Sequence, residues 1–377
     1  MRLTEKIAKA WFVNHCLEKG AEVEYWDLSD YAQKCINRTI LTRGNRRSEC
    51  IGYCDLTGLI SSLRAENPIF VMLLTYSWLN LKPFLLLTKY RLPMIFIDMG
   101  HRPSQSAGLR LRIQQLARLT SSPSKYLLTV VTTLLSSLIR RLSLVSKYEI
   151  MFTTDSNKDN LKKIAKRIIS INLSDFEEYK RLKKTTSLIS GKYAVYLDQN
   201  FPDHPDNINL GTKLNRITFY ASLNKFFHHL EKKYKLKLII ARHPTVQDDA
   251  ERFDNREEYS ESTANLVKDA EFVIAHTSTA VSYAILNRKA IIFIATAEIE
   301  DKYSTTIASE ITNIARYLGQ TRLNIDEPEQ VKELVLKMPQ KNLYDNYIYS
   351  YLTTPESENR DSQDIFWERV SSDIYVS

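Results

Sequence analysis

The amino-acid sequence predicts an α/β protein made of two tandem Rossmann-like domains whose parallel sheets face a cleft. Three observations predict it. Short, continuous apolar runs rich in branched residues recur along the chain, among them PIFVMLLTY, LPMIFIDMG, YAVYLDQ, LKLIIARHP, EFVIAHT and AIIFIAT. Such runs read as strands buried on both faces of a parallel sheet, and helical stretches alternate with them. The length, 377 residues, suits two domains of roughly 150–200 residues better than one core.

Composition narrows the class further. The chain is 44% apolar, 25% charged and 10% aromatic, which excludes disordered, collagen-like and disulfide-stapled proteins. Glycine is scarce, nine in all, and no window holds the clustered glycines of a Walker loop or a GxGxxG fingerprint. P-loop NTPases and ordinary NAD-binding proteins are thereby excluded. The four cysteines, Cys16, Cys35, Cys50 and Cys54, lie close to the start with no secretory pattern before them. They read as reduced thiols, and because Cys50 and Cys54 lack a second close pair, no structural metal is expected.

The first domain spans residues 1–175. From Trp11 a helix runs to Gly20, then a strand, AEVEYWDL, and a turn. Only MRLTEKIAKA precedes that helix, so the usual opening strand is missing or the start is late. Two buried strands follow, the second ending in Asp98-Met99-Gly100-His101. YEIMFTT is a further strand, DSNKDNLKKIAKR a helix and IISINL the last strand. Residues 176–191, charged and closed by Gly191, read as a linker. A second α/β series fills 192–338, with a helix from Thr212 to Tyr234 and another near Ser262–Lys268. Residues 339–377 form a tail whose QDIFWERV run reads as a closing helix.

The net charge of +8 is unevenly spread. No acidic residue occurs between Asp98 and Glu149, while Arg102, Arg110, Arg112, Arg118, Lys125, Arg140, Arg141 and Lys147 do. The uncharged run from Tyr126 to Ile139 falls short of the ~20 residues needed to cross a bilayer. Residues 102–147 therefore read either as basic, apolar helices lying on anionic lipid, or as a buried helix whose arginines face solvent or an anionic substrate. Aromatic residues are not interleaved with the cations as stacking platforms require, so nucleic acid is not an expected partner.

Polar groups follow three strands of the second domain: Asp198-Gln199, Arg242-His243-Pro244 and His276-Thr277-Ser278-Thr279. Doubly wound topology would gather these along one rim, and the last group opens a helix whose free N–H groups suit an anion. Taken singly each has a plainer role: Thr277 or Ser278 as a helix cap, Pro244 as a strand stop, Asp198 as a turn residue.

The order YLDQNFPDHPD, FYASLNKFFHHLEKKY, LIIARHP and TANLVKDAEFVIAHTSTAVSYAILNRKAIIFI, over residues 193–295, resembles bacterial GT-B glycosyltransferases of surface polysaccharide synthesis (capsule and lipopolysaccharide). The likeness is to those using CMP-activated sialic acid or Kdo, whose hallmarks include an HP motif and a Ser/Thr pair. Over the first domain it extends to layout only. The resemblance implies a GT-B fold and a metal-independent enzyme, in keeping with the absence of a DxD triplet. It implies that His243 contacts the CMP phosphate and that Ser278 and Thr279 hold that phosphate. The family's Asp-Asp-Gly or Glu-Asp-Gly motif is absent here, and Asp198, Asp203 and Asp206 are the nearby carboxylates.

Loss of CMP from a keto sugar passes through an oxocarbenium-like transition state, which needs a stabilised leaving phosphate and one carboxylate near the anomeric carbon. His243 is the candidate for the first need. Asp198, with Asp203 beside it, is the candidate for the second, as nucleophile or as base. Arg242, Pro244, His276 and Thr277 complete the expected nucleotide site. Asp98, His101, Gln199, His204, Asp206, Arg256 and Glu298, with Lys302, are the candidates for sugar or acceptor contacts. The expected partners are a CMP-sugar donor and a saccharide acceptor, lipid-linked or free, with no metal or cofactor, in the cytoplasm, either free or peripheral at the inner face of the cytoplasmic membrane. A CDP-glycerol or CDP-ribitol phosphotransferase and a catalytically silent scaffold are the other readings.

Overall fold

The computed structural model describes residues 3–28, 35–52, 56–66, 68–98, 123–155, 158–159, 161–203, 214–244, 246, 252–305 and 307–373. The chain divides into two compact units, one made of Met1–Asn172 with Thr353–Ser377 and the other of Leu173–Leu352.

The first unit opens with helices Glu5–Ala10 and Val13–Glu18 and then an antiparallel sheet of three strands, β1 (Val23–Asp27), β2 (Cys35–Thr42) and β3 (Asn45–Gly52). The β2–β3 hairpin turns at Gly44, whose φ of 87° only glycine adopts without strain. Its strands alternate few apolar residues, so the sequence pattern did not announce them. A parallel sheet follows, ordered β4 (Phe70–Met72), β5 (Met94–Asp98), β6 (Tyr148–Thr153) and β7 (Ala165–Ser170).

Strand β5 shows why this sheet is covered on both faces. Met94 and Phe96 pack with Phe84 and Leu87 of helix Leu81–Lys89, whereas Ile95 and Ile97 pack with Ile365, Phe366 and Val370. Those last three belong to helix Ser362–Asp373. The expected helix over DSNKDNLKKIAKR is replaced, among the described residues, by a single 3-10 turn, Leu161–Lys163, and Ala165 already pairs with Tyr148. Ladder pairing here outweighs the helical look of the sequence.

The second unit holds six parallel strands: β8 (Tyr193–Leu197), β9 (Lys237–Ala241), β10 (Glu258–Tyr259), β11 (Phe272–Ala275), β12 (Ala290–Ala295) and β13 (Thr321–Asn324). Their spatial order is β10-β9-β8-β11-β12-β13, the 3-2-1-4-5-6 order of doubly wound nucleotide-binding folds. Strands β8, β11 and β12 are buried at every residue, as continuous apolar runs require in a sheet covered on both sides. Helix Arg216–Tyr234 buries Phe219, Tyr220, Leu223, Phe226, Phe227 and Leu230, a single face at helical spacing. It starts at Asn215, which caps the amides of Ile217 and Thr218 rather than starting at Thr212.

Two segments differ from the sequence expectation. The 176–191 stretch carries most of helix Ser174–Leu182, whose Phe176 enters the second unit's core, so its first half is packed structure. The 339–377 stretch is divided: helix Lys341–Tyr347 and the turn Ile348–Leu352 pack into the second unit, and Thr353 onward joins the first. Asn172 stitches that return. It donates to the carbonyls of Ser357 (3.0 Å) and Arg360 (2.8 Å), accepts from the Thr353 hydroxyl, and exchanges bonds with Ser362 through its backbone.

Candidate functional site

In the 3-2-1-4-5-6 order the direction of winding reverses between β8 and β11, and the loops leaving the carboxyl ends of those strands open the crevice where such folds take ligands. Gln199 follows β8 and Thr277 follows β11. The two lock across the switch point: the Thr277 N–H donates to Gln199 Oε1 at 2.7 Å, and Gln199 Nε2 donates to Thr277 Oγ1 at 3.2 Å. Both are half-buried, Ser278 likewise, and Thr279 is exposed. Ser278 Oγ accepts from the Ala280 N–H at 3.2 Å, which turns the chain into the short helix Val281–Leu286. The loop Thr277–Thr279 is thus held in one shape by side-chain bonds rather than by glycine.

On the neighbouring side of β8, Arg242, His243 and Pro244 leave β9 at the same end of the sheet. Arg242 and His243 are half-buried and Pro244 is exposed. The Arg242 N–H donates to the carbonyl of Tyr259 at 2.9 Å, which ties this loop to β10.

Beneath that rim runs a line of alternating charge. Asp198 Oδ2 accepts from Arg252 Nη1 at 3.2 Å, Arg252 Nη2 donates to Glu258 Oε2 at 3.2 Å, and Arg242 Nε lies 3.9 Å from that same oxygen. The side chains of Asp198 and Arg252 are 1% and 2% exposed, and those of Glu258 and Arg242 are 15% and 18%. The other oxygen of Asp198 accepts from the Asn200 N–H at 2.8 Å. Arg252 also donates to the Tyr220 hydroxyl at 3.3 Å. Burial pushes Glu258 above the usual carboxylate range, against the opposing pull of Arg252 and Arg242. Arg252 is held above its ordinary value: burial works against its charge, and Asp198 and Tyr220 outweigh it.

Several of the residues singled out from the sequence are engaged within the fold. Asp198 is the buried partner of Arg252 and caps its own turn, so both of its oxygens are engaged within the unit. His276 is fully buried. Its Nδ1 lies 2.7 Å from the carbonyl of Ile294 and its Nε2 3.1 Å from the Tyr196 hydroxyl. A carbonyl only accepts, so Nδ1 carries the proton and Nε2 takes the tyrosine's hydrogen. Phe201 and Phe219 enclose the ring at 4.8 and 5.8 Å, and burial lowers its pKa to about 4, leaving it neutral. Both ring nitrogens are thus engaged within the core.

Arg256 forms a two-pronged pair with Glu231 (3.0 and 2.8 Å) and bonds Asn224, which commits it to the packing of helix Arg216–Tyr234. Glu298 accepts from the Asn215 N–H and from Lys302, so both Glu298 and Lys302 brace the start of that helix. Asp203 is exposed and paired with Arg216. Asp98, in the first unit, accepts from Thr153 Oγ1 at 3.1 Å at the carboxyl ends of β5 and β6. His101, His204 and Asp206 lie outside the described residues. Arg252 and Glu258 were not singled out from the sequence: Asp198 and Tyr220, which Arg252 joins to Glu258, lie far away in the chain, and β10 has only two residues.

No protein-family model and no curated protein matches the chain. Solved structures similar in layout include the UDP-GlcNAc 2-epimerase of Methanocaldococcus jannaschii, 11% identical, with 85% of this chain and 84% of that chain covered and a TM-score of 0.43. The glycosyltransferase of kitacinnamycin is 13% identical over 85% of this chain and 80% of that chain, TM-score 0.43. CalG4, the calicheamicin glycosyltransferase, is 10% identical over 84% and 79%, TM-score 0.43. At such scores the chemistry of the site rests on its own residues.

Among the described residues no cluster of His, Cys, Asp or Glu is arranged to hold a metal ion, and no helix is long and apolar enough to cross a membrane.

Proposed function

We propose that the chain is a GT-B glycosyltransferase that takes a CMP-activated acidic keto sugar, of the Kdo or sialic acid type, and transfers the sugar to a saccharide or lipid-linked saccharide acceptor of surface polysaccharide synthesis. The observation that carries this reading is the switch point between β8 and β11, where Gln199 holds Thr277 in a preformed loop at the same end of the sheet as Arg242 and His243. A nucleotide lies across such a point with its phosphate toward the strand ends.

In this reading Arg242 supplies a charge-assisted bond to the donor phosphate, His243 neutralises the phosphate as CMP leaves, and Thr277, Ser278 and Thr279 give it hydroxyl and amide donors. Pro244 fixes the turn that follows His243. Gln199 faces the sugar side of the same loop. Asp203, exposed and beside Arg216, replaces Asp198 as the carboxylate that reaches the anomeric carbon or the acceptor hydroxyl. Asp98 belongs to the acceptor side, on the first unit. No metal takes part.

The test is titration calorimetry with CMP, CDP and UDP, followed by release of CMP from CMP-Kdo, CMP-sialic acid and CDP-glycerol. The expected result is selective binding of CMP and its release from a CMP-sugar, lost in His243→Ala without loss of fold. Selective release from CDP-glycerol would establish the phosphotransferase instead. No selective nucleotide binding would leave a silent scaffold.

A further inference from the structure

Over residues 130–141, helix Pro123–Arg141 packs by one face against the described part of the first unit. The Ser136 side chain is buried, its carbonyl accepts from the Tyr76 hydroxyl at 2.9 Å, Ile139 lies against the core, and the Arg140 guanidinium stands 4.1 Å over the Tyr76 ring. Among the described residues the opposite face is apolar and uncovered. Leu134, Leu138 and Leu142 follow at intervals of four and are 64%, 50% and 60% exposed, with Val131 and Leu135 beside them on the same stripe. A globular surface seldom leaves so many large apolar side chains in one row.

The same end of the helix is strongly basic. A hollow of about 270 Å³ opens where the helix ends, lined by Arg140, Lys147, Lys163 and Lys166 together with Ser143 and Ser146. Lys166 pairs with Glu149 and Lys147 donates to the Lys162 carbonyl, which fixes these cations around the hollow. Arg141 is exposed beside the stripe. The helix itself contains no acidic residue.

We infer that this end of the helix docks on an anionic lipid bilayer, with the leucine stripe entering the headgroup boundary and a lipid phosphate meeting the cations of the hollow at the helix terminus. The charge decides the occupant. A second copy of the chain would set cation against cation with no acid on the helix to answer it. Anionic headgroups supply the missing charge while the acyl boundary takes the leucines, the two terms that add for an interfacial helix. The inference deepens the proposed function by naming the surface that brings the enzyme to a lipid-linked acceptor, yet it stands on residues apart from the nucleotide site.

The test is sedimentation of the full chain with vesicles of phosphatidylcholine alone or mixed with phosphatidylglycerol. The chain is expected to sediment with the mixed vesicles, and to stay in the supernatant with phosphatidylcholine alone or in high salt. Leu134→Ser with Leu138→Ser is expected to weaken binding roughly tenfold or more, and Arg141→Glu roughly fivefold or more. Circular dichroism checks that these exposed substitutions leave the fold intact. Sedimentation of the leucine variant equal to that of the parent, or failure of the parent to bind mixed vesicles, overturns the inference. A stable dimer that the leucine substitutions dissociate, with no vesicle binding, assigns the face to a second copy. CMP binding measured without lipid reports on the nucleotide site alone, so either reading can fail without the other.

Discussion

Gln199 and Thr277, which follow different strands of the second unit, are joined by two hydrogen bonds of 2.7 and 3.2 Å across the point where the sheet reverses its winding. The amide of one side chain thereby satisfies both the backbone N–H and the hydroxyl of the other residue. Gln199→Leu is expected to leave that N–H unsatisfied and to cost about 1–2 kcal/mol in stability. Because the loop then loses its set shape, CMP affinity is expected to fall roughly tenfold. Urea unfolding and calorimetry measure the two effects separately.

The Asp198–Arg252 pair is a different case, since both side chains are almost wholly buried. Arg252→Met strands the Asp198 charge and is expected to destabilise the second unit by about 3–5 kcal/mol. Adding Asp198→Asn removes the stranded charge and is expected to restore most of that loss. A double-mutant cycle by urea unfolding tests it, and two additive losses would show that the residues do not depend on each other.

His276 makes stability depend on acid. Its folded pKa is depressed to about 4 from the ordinary 6.5, so the unfolded chain binds its proton first as pH falls. The stability it contributes is complete above pH 6.5 and is lost as pH drops toward 4, about 3 kcal/mol in all. Glu258 and Asp175, raised by burial, act in the opposite sense, because the folded chain takes up their protons more readily. The His276 contribution is therefore read as a difference: His276→Asn is expected to be less stable at neutral pH but to show a flatter decline between pH 6.5 and 4. Equal slopes in parent and variant would place the titration elsewhere.

Phe366 fills the face of the first unit's parallel sheet, 5.1 Å from Phe152 and 5.3 Å from Phe12 between ring centres. Phe366→Ala is expected to cost about 3–5 kcal/mol. The loss should fall on one unit: amide exchange is expected to quicken in β5 and β6 while β8 and β11 keep their protection.

The alternation of apolar runs and helices made the parallel strands of both units legible in the sequence, and their carboxyl ends pointed to Gln199, Arg242, His243 and Thr277. Much of what the sequence concealed came from contacts between residues remote in the chain. Asp198 ends a strand as a catalytic aspartate would, and its pairing with Arg252, 54 residues on, could not be read from the sequence. Arg256 and Glu298 looked like ligands for sugar because nothing near them in sequence revealed Glu231 or Asn215. The β2–β3 hairpin was hidden for a local reason, since its mixed polar composition gives no apolar period.

The return of the chain at Thr353 makes the second unit an insertion within the first. During synthesis its 173–352 segment is continuous and can close as soon as it has emerged. The outer unit must wait, one side of its β5–β6 sheet only partly covered, until the segment bearing Ile365, Phe366 and Val370 leaves the ribosome. The order of maturation is thus inverted relative to the order of translation. A premature stop after Leu352 is expected to yield a sound inner unit attached to an outer one with an oily flank, a species marked for chaperone capture.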